Sequence, residues 1–218
     1  MITLKRCISM VKKGSRLKKL LIAGSIATSL TIGYWASQAF YTVSKVIDGD
    51  TFETPERQIV RLDGINAPET DRCLGMEAKK ELENLILKKK VFLKVSYINN
   101  FRLIASVYTL EGNVGAKMLE KGLATYETKG HSDKSLLKIS QDSRKKKIGI
   151  HSETCTQTIN PINPKCNIKG NARQIRLYHY PGCRNYDTTL VQLYLGDEWF
   201  CSIKEAEAAR YTKGGDCL

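Results

Sequence analysis

The chain has 218 residues, of which 42% are hydrophobic and 26% are charged, and this balance excludes a wholly disordered protein. Its net charge of +13 favours polyanions as partners over basic molecules, although a basic balance alone is weak support. Seven of the 35 basic residues lie in residues 1–19, which contain no acid. The rest of the chain contains 28 basic and 22 acidic residues, so it is only moderately basic.

The N-terminal segment, residues 1–39, has the pattern of an export signal. Its basic start is followed by residues 20–44 without any charge, and small residues stand at Ser37 and Ala39. The uncharged run is also long enough for one apolar helix of about 20 residues to cross a bilayer, so cleavage and retention as a membrane anchor both stay open. In either case we expect the remainder to be periplasmic or extracellular, or anchored to the inner (cytoplasmic) membrane and facing outward.

The cysteine count agrees with export. Of seven cysteines, Cys7 lies in the predicted signal, and six remain: Cys73, Cys155, Cys166, Cys183, Cys201 and Cys217. An even number beyond an export signal favours disulfides over free thiols.

The next part of the chain predicts short strands. Residues 40–53 read as a strand, a DGD turn and a second short strand. A turn at Pro55-Glu56 then returns the chain into a third strand over residues 57–65.

Helices and strands alternate after this point. Apolar side chains at helical spacing predict a helix over residues 76–87, ending in lysines that suit a helix C-terminus. Strands are predicted over residues 91–96 and 102–114, a short helix over 115–122, and a last helix with a basic end over 136–149. Short strands followed by helices between strands predict an α+β fold, a small barrel with helices packed on it.

A polar linker with two prolines, residues 156–165, separates this first domain, residues 40–155, from a small module, residues 166–218. A unit of about 50 residues rarely builds an adequate core alone, so its four cysteines are expected to cross-link it.

Several polar residues of the predicted barrel suggest phosphodiester chemistry. Carboxylate and amide oxygens are the ligands that hard cations prefer, arginines match phosphate oxygens, and a glutamate can deprotonate water. Together they supply what hydrolysis of a phosphodiester requires. The residues are Asp48, Asp50, Arg61, Asn66, Glu69 and Arg102.

The order of motifs resembles the thermonuclease (staphylococcal nuclease-like) family. The stretches are VIDGDT, VRLDGINAPE, GMEA, FRLIASVY, EGNV with LEKGLA, and KKKIGI, which together span about residues 40–155. The resemblance implies a five-stranded OB-fold β-barrel with three helices. It also implies a calcium-dependent endonuclease of the thermonuclease type that cleaves DNA and RNA with little sequence preference, leaving a 3′-phosphate and a 5′-hydroxyl.

The resemblance also assigns roles. Glu69 matches the glutamate that handles the attacking water, and Arg61 and Arg102 match the arginines that bind the phosphate and stabilise its charge. The calcium ligands matched are Asp50, Asn66 and the carbonyl of Ala67.

The chain departs from the family pattern at three places. Asn66 replaces an aspartate, which removes a negative charge, so we expect weaker Ca²⁺ binding. The residues before Arg102, 99–101, lack the usual glycine, which puts the aim of that arginine in doubt, although asparagine tolerates left-handed backbone. His151 replaces a tryptophan, and a packing or surface role is expected for it rather than a catalytic one.

The C-terminal module resembles one appended to some exported bacterial nuclease homologues, and its YHYPGC and WFCSIKEA stretches distantly resemble zinc modules of DNA-repair proteins. His179 and Cys183, four residues apart, could bind Zn²⁺ together with Cys166, Cys201 and Cys217, but outside the cytoplasm disulfides are the better expectation and zinc is not expected. We expect the pairs Cys73–Cys155, Cys166–Cys201 and Cys183–Cys217, although four module cysteines permit three pairings. The module's aromatic residues are expected to form its core, with a stacking face for single-stranded bases as the alternative.

A non-cutting OB-fold module that binds nucleic acid or a protein remains the alternative function. The retention of Arg61, Glu69 and Arg102 favours the enzyme, and the altered metal position favours the binding module. The sequence does not indicate an oligomeric state.

Overall fold

The protein is described by a computed structural model that covers residues 40–127 and 132–217. The predicted N-terminal apolar helix lies outside these residues. The first strands are β1 (Phe40–Thr42), β2 (Lys45–Val46), β3 (Thr51–Glu53), β4 (Ile59–Leu62) and β5 (Ile65–Asn66). They are followed by β6 (Lys90–Asn99), β7 (Arg102–Thr109), β8 (Gly112–Asn113) and β9 (Thr125–Tyr126). The helices here are α1 (Gly75–Ile86), α2 (Val114–Glu120) and α3 (Lys134–Lys145), with a 3₁₀ turn at Gly149–His151.

The strands form a curled sheet in the order β1-β6-β7-β4-β3-β2, with β8 added beside β7. Only residues 43–44 separate β1 from β2, so one bent strand contributes to both ends of the sheet and closes the curl. With β1 and β2 counted as one strand, β3, β4, β6 and β7 complete five strands, the number predicted for the barrel. The predicted α+β OB-fold is therefore confirmed for this part of the chain.

The barrel interior is filled by alternate side chains of the strands and by one face of each helix. The completely or almost completely buried residues include Phe52, Ile65, Leu82, Met118 and Leu119. Side chains three and four residues apart in α1 meet this core, which is the spacing that predicted the helix. Burial of each such side chain stabilises the fold by about 1.5–3 kcal/mol.

The ends of the helices follow from local sequence. Asn113 and Asp133 cap α2 and α3 by accepting hydrogen bonds from backbone N–H groups of the first turn. Gly122 follows α2 with φ of 61°, and a β-carbon there would lie 2.3 Å from the carbonyl oxygen of Ile148. The last predicted helix, over residues 136–149, ends earlier in the structure, at Lys145. It ends there because the backbone turns at Lys147, where φ is 52°.

The C-terminal part contains short strands and one helix. They are β10 (Thr156–Gln157), β11 (Ile168–Ala172), β12 (Arg176–His179), β13 (Val191–Gln192), β14 (Glu198–Phe200), α4 (Ile203–Ala208) and β15 (Thr212–Lys213), with a 3₁₀ turn at Leu193–Leu195. Four strands form a sheet in the order β14-β11-β12-β15, and β10 pairs with β13.

This part packs against the barrel. Tyr194 and Ile150 share a small apolar cluster with the Cys73–Cys155 bridge. Strand β10 lies in the predicted linker and pairs with a strand of the module. Tyr41–Leu218 accordingly form one compact unit, and the predicted boundaries at residues 155 and 166 stay predictions.

Across residues 40–127 and 132–217, every helix is too short or too polar to traverse a bilayer. The predicted signal or anchor lies before these residues.

Candidate active site

The predicted metal ligand Asp50 is set in place by a tight turn after β2. The backbone N–H of Asp50 donates to Oδ1 of Asp48 over 3.0 Å, which fixes the turn. A β-carbon at Gly49 would lie 2.6 Å from that of Ala67 and 2.7 Å from that of Ala78. Only glycine therefore lets this turn approach α1 and the corner after β5 so closely.

Asp50 is a buried carboxylate, with only 2% of the residue exposed. Its Oδ1 accepts a hydrogen bond from Thr51 Oγ1 over 2.9 Å and contacts the Arg61 guanidinium, and its Oδ2 accepts one from the Ala67 N–H over 2.9 Å. Burial raises the pKa of Asp50 to about 6, because lost hydration outweighs the attraction of Arg61 and the Ala67 hydrogen bond. The carboxylate is thus under-compensated at neutral pH.

Arg61 of β4 bridges the two predicted metal ligands. Its Nη1 pairs with Asp50, and its Nη2 donates to Oδ1 of Asn66 over 2.7 Å. Asn66 is itself positioned by the pairing of β5 with β9, in which Thr125 Oγ1 donates to the Asn66 carbonyl over 3.3 Å. These contacts use two of the five N–H groups of the guanidinium.

Arg102 lies on the same face of the sheet as Arg61. In the parallel pairing of β4 with β7, Arg61 stands opposite Ile104, and Arg102 precedes Ile104 by two residues. The two arginines open onto one cleft of about 260 Å³. Its lining residues are Arg61, Tyr97, Asn99, Asn100, Arg102, Ile104 and Glu127. The structure therefore brings both predicted phosphate-binding residues together.

The hairpin before Arg102 forms without the family's glycine. Asn100 and Phe101 are its two loop residues, with φ of 46° and 62°, as a type I′ turn requires. The Gln58 side chain donates to the carbonyls of Phe101 over 3.0 Å and of Ile59 over 3.1 Å, which ties the loop to β4. The turn therefore forms without glycine: the exposed Phe101 adopts left-handed backbone, and the Gln58 side chain holds it in place.

Glu69 lies at the corner before α1, after the buried Pro68, and its side chain is exposed. Its carbonyl accepts a hydrogen bond from the Arg72 N–H over 2.9 Å. A β-carbon at Gly75 would lie 1.8 Å from that carbonyl oxygen, so the start of α1 fixes the corner. Glu69 is outside the lining of the arginine cleft. The structure brings together the two arginines, but its cleft does not include the predicted base.

The donor set fits a hard cation by chemistry. Asp50 offers a carboxylate and Asn66 an amide oxygen, which are the oxygen types that Ca²⁺ prefers. A divalent ion beside Asp50 would compensate its negative charge, which is unfavourable in the low-dielectric interior of the protein. The Ala67 N–H faces Asp50, and the predicted role of its carbonyl as a ligand remains a prediction.

His151, the replacement for the family's tryptophan, packs between the barrel and the module. It is 7% exposed, and its ring meets that of Tyr194 edge-on with centroids 6.3 Å apart. Burial, and then the charge of Arg144, lower the pKa of His151. This environment favours a neutral packing residue, as expected.

Glu127 in the arginine cleft was not found by sequence reasoning. Its backbone N–H donates to the carbonyl of Gly64 over 2.9 Å and extends the pairing of β5 with β9. The run LATYE around it is β-prone, but nothing in one sequence shows that these residues pair with a strand about 60 positions earlier.

Within the described residues 40–127 and 132–217, three disulfides join Cys73 to Cys155, Cys166 to Cys201 and Cys183 to Cys217. These are the pairs that the sequence analysis expected. The first ties the corner before α1 to the end of the barrel domain, and the other two cross-link the module.

The module's aromatic residues divide by burial. Tyr178, Tyr194 and Phe200 are buried, and Tyr180, Tyr186 and Trp199 are half-buried. Tyr178 and Phe200 lie in the module's core, as expected, whereas Tyr194 packs in the cluster with Ile150 and the Cys73–Cys155 bridge. The alternative of a base-stacking face stays a prediction.

A barrel with two arginines in one cleft, one of them beside a buried carboxylate, suits a hydrolase of the nuclease class. Residues 59–153 match the family described as staphylococcal nuclease homologue. An uncharacterized endonuclease of Haemophilus influenzae is 32% identical over 128 residues, which are 56% of this chain and 68% of that protein. The chain therefore belongs to the staphylococcal nuclease homologues.

Two further relatives are similar to this chain at lower identity. Micrococcal nuclease of Shigella flexneri is 25% identical over 151 residues, covering 62% of this chain and 86% of the relative. Protein ParB of Escherichia coli is 28% identical over 128 residues, covering 51% of this chain and 71% of the relative.

Proposed function

We propose that the chain is an exported, Ca²⁺-dependent endonuclease that hydrolyses phosphodiester bonds of DNA and RNA with little sequence preference. The observation that carries the proposal is the shared cleft of Arg61 and Arg102, with Asp50 against one of them. Two planar guanidinium groups match the oxygens of one phosphate. Two relatives are themselves named as an endonuclease and a micrococcal nuclease.

Each residue has a distinct task in the proposed reaction. Arg61 and Arg102 bind the non-bridging oxygens and stabilise the charge that grows on them as water attacks phosphorus. The loss of one such donor typically costs about 10²–10³ in rate. Glu69, exposed at its corner, accepts the proton of the attacking water.

The calcium site is assigned to the oxygens around Asp50. Asp50, Asn66 and the Ala67 carbonyl would hold the ion, which supplies charge neutralisation at the phosphate when bound. Because Asn66 contributes no negative charge, a millimolar concentration of Ca²⁺ is expected to be needed.

Low sequence preference follows from what the cleft offers. Its two guanidinium groups suit phosphate, which is the same at every nucleotide, and contacts to phosphate carry no sequence information. The basic balance of the chain adds attraction to any polyanion. As for other members of the family, the expected products carry a 3′-phosphate and a 5′-hydroxyl.

Export rests on two features. The N-terminal segment has the composition of a signal or anchor, and the three disulfides suit an oxidising compartment. Fractionation of expressing cells, with N-terminal sequencing of the product, tests this. Chain recovered only from the cytoplasm would contradict it.

Digestion of plasmid and single-stranded DNA and of RNA tests the enzyme. Cleavage is expected with Ca²⁺, none with EDTA, and a loss of at least about 10²-fold in Glu69→Gln. Glu56→Gln, which alters an exposed glutamate in the β3–β4 turn, is the matched control. Equal cleavage by Glu69→Gln would remove Glu69 from the mechanism.

A non-cutting binding module is the second candidate. It is favoured by the existing engagement of Arg61 with Asp50 and Asn66, which a cleaving site would have to share with substrate. Tight DNA binding without product under Ca²⁺, Mg²⁺ or Mn²⁺ would select it.

A further inference from the structure

One cluster in the C-terminal module combines side chains that ligate soft metals. The ligand atoms of His179, Cys183 and Cys217 all lie within 4.8 Å of one another. His179 ends β12, Cys183 follows a Pro-Gly turn, and Cys217 lies beyond β15. In the structure the two sulfurs form a disulfide, so no thiolate is available there in the oxidised chain.

Backbone hydrogen bonds hold these loops together independently of the disulfide. The N–H of Cys183 donates to the Tyr180 carbonyl over 3.0 Å, and that of Arg184 donates to the Asp216 carbonyl over 3.1 Å. The Cys217 N–H donates to the Gly214 carbonyl over 3.1 Å. Breaking the sulfur–sulfur bond would therefore leave both sulfurs close to each other.

Cys183 already has surroundings that suit a thiolate. The N–H of Tyr180 donates to Cys183 Sγ over 3.2 Å. An N–H donor aimed at sulfur stabilises its negatively charged form.

His179 is positioned beside the two sulfurs by small and acidic neighbours. A β-carbon at Gly214 would lie 2.6 Å from the His179 ring, so the glycine makes room for it. Nδ1 is buried and lies 3.0 Å from Oδ1 of Asp216, although without the geometry of a hydrogen bond. A carboxylate against one ring nitrogen is the usual support of a metal-ligating histidine.

We propose that the reduced chain binds Zn²⁺ through Cys183, Cys217 and His179, with water at the fourth position. Two molecules of a thiol reductant cleave the disulfide, giving two cysteine thiols and the oxidised reductant disulfide. Binding of Zn²⁺ then displaces the two thiol protons. Nothing in this proposal depends on the nuclease activity.

The geometry is compatible with zinc after a small movement. Zinc–sulfur distances near 2.3 Å and zinc–nitrogen distances near 2.0 Å place tetrahedral ligands roughly 3.5–3.8 Å apart. The three ligand atoms lie within 4.8 Å before any adjustment. The disulfide and the zinc site are thus alternative states of the same side chains, selected by redox conditions.

The second module disulfide supplies the matched control. Cys166 and Cys201 also pair, with a sequence separation of 35 against 34 for Cys183 and Cys217. Among the described residues they do not belong to a metal-ligating cluster. Cys166→Ser/Cys201→Ser therefore removes as many sulfurs without touching the proposed site.

The experiment titrates Co²⁺ and Zn²⁺ into the full chain, with and without a phosphine reductant. Cobalt–thiolate absorption and metal content by mass spectrometry are measured after gel filtration. We expect one ion per reduced chain, none per oxidised chain, loss of binding in Cys183→Ser/Cys217→Ser, and retention in Cys166→Ser/Cys201→Ser.

His179→Gln keeps both cysteines and covers the case in which the double variant fails to fold. It is expected to lower Co²⁺ affinity at least 10- to 100-fold, the range that loss of a supporting group produces. No thiolate absorption in the reduced chain, unchanged affinity in His179→Gln, or loss only in Cys166→Ser/Cys201→Ser would each overturn the proposal.

Discussion

Arg61 and Arg102 stand on the same face of the barrel, because Arg61 pairs with Ile104 and Arg102 precedes Ile104 by two residues. This relationship depends only on strand register, so it does not require either side chain to be mobile or substrate to be bound. It gives the proposed phosphate site a rigid base on two adjacent strands.

Arg102→Lys is expected to lower kcat about 10²-fold while leaving the free energy of unfolding unchanged. Lysine keeps the charge but loses the planar fork, and Arg102 is an exposed residue at the start of β7. Initial rates on plasmid DNA and urea unfolding measure the two effects. Arg184→Lys, an exposed arginine of the module, is the control. A stable Arg102→Lys variant with full activity would contradict the role.

Arg61→Gln is expected to destabilise the fold by roughly 1–3 kcal/mol in EDTA, because buried Asp50 loses its cationic partner. The double variant Arg61→Gln/Asp50→Asn should recover part of this loss, since it also removes the uncompensated carboxylate. Urea unfolding at neutral pH measures both. Additive losses in the double variant would show that the pair does not couple.

Calcium affinity is expected to fall as the pH decreases through about 6. Burial raises the pKa of Asp50 to about 6, and the metal binds the carboxylate form. Below that pH, apparent affinity should drop roughly tenfold per unit. Calorimetric titrations measure it, and a pH-independent affinity would indicate that Asp50 is not a ligand.

The same pKa sets the sign of the stability change without metal. The folded value of Asp50 lies above the ordinary value of 3.8. Its stabilising contribution is therefore complete below that value and is lost as the pH rises through about 6. Saturating Ca²⁺ should offset that loss in unfolding experiments.

Phe101→Gly is expected to stabilise the protein by about 0.5–1 kcal/mol. Left-handed backbone destabilises a bulky residue by roughly 1–2 kcal/mol, and glycine avoids this strain. The greater conformational entropy of glycine in the unfolded chain cancels about half of the gain. Phe101 is 95% exposed, so little packing is lost. Phe101→Ala, which keeps a β-carbon, should gain less. Thermal unfolding compares the two, and equal effects would exclude backbone strain as the cause.

Glu127→Gln is expected to increase nucleic-acid affinity several-fold, with little change in the salt dependence of binding. The carboxylate shares the cleft of Arg61 and Arg102, where it opposes a phosphate. Fluorescence anisotropy with a Glu69→Gln background prevents cleavage during the measurement. Glu120→Gln, an exposed glutamate at the end of α2, is the control. Unchanged affinity would place Glu127 outside the substrate path.

Local features of the fold were predictable from sequence. The turn at Gly49 and the helix Gly75–Ile86 follow from residues adjacent in the chain. The Arg61–Asp50 contact was harder to predict from sequence, because it depends on the register of β3 against β4. Glu127 was not predictable, because its place in the cleft comes from the pairing of β5 with β9.

The hairpin before Arg102 shows how context replaces a local preference. Sequence alone raised a doubt there, because an asparagine and a phenylalanine occupy positions that favour glycine. The hydrogen bonds from Gln58, more than 40 residues earlier, hold the loop. Such a long-range contact has no signature in the residues of the loop itself.

A crystal structure with Ca²⁺ and a short phosphorothioate oligonucleotide would show whether Arg61, Arg102, Asp50 and Glu69 act on one phosphate. We expect one phosphorothioate group within about 3 Å of both Arg61 and Arg102, a calcium ion about 2.4 Å from an Asp50 oxygen, and the Glu69 carboxylate facing the phosphorus through a water. An oligonucleotide bound elsewhere on the chain, or Glu69 directed away from the bound phosphate, would contradict it.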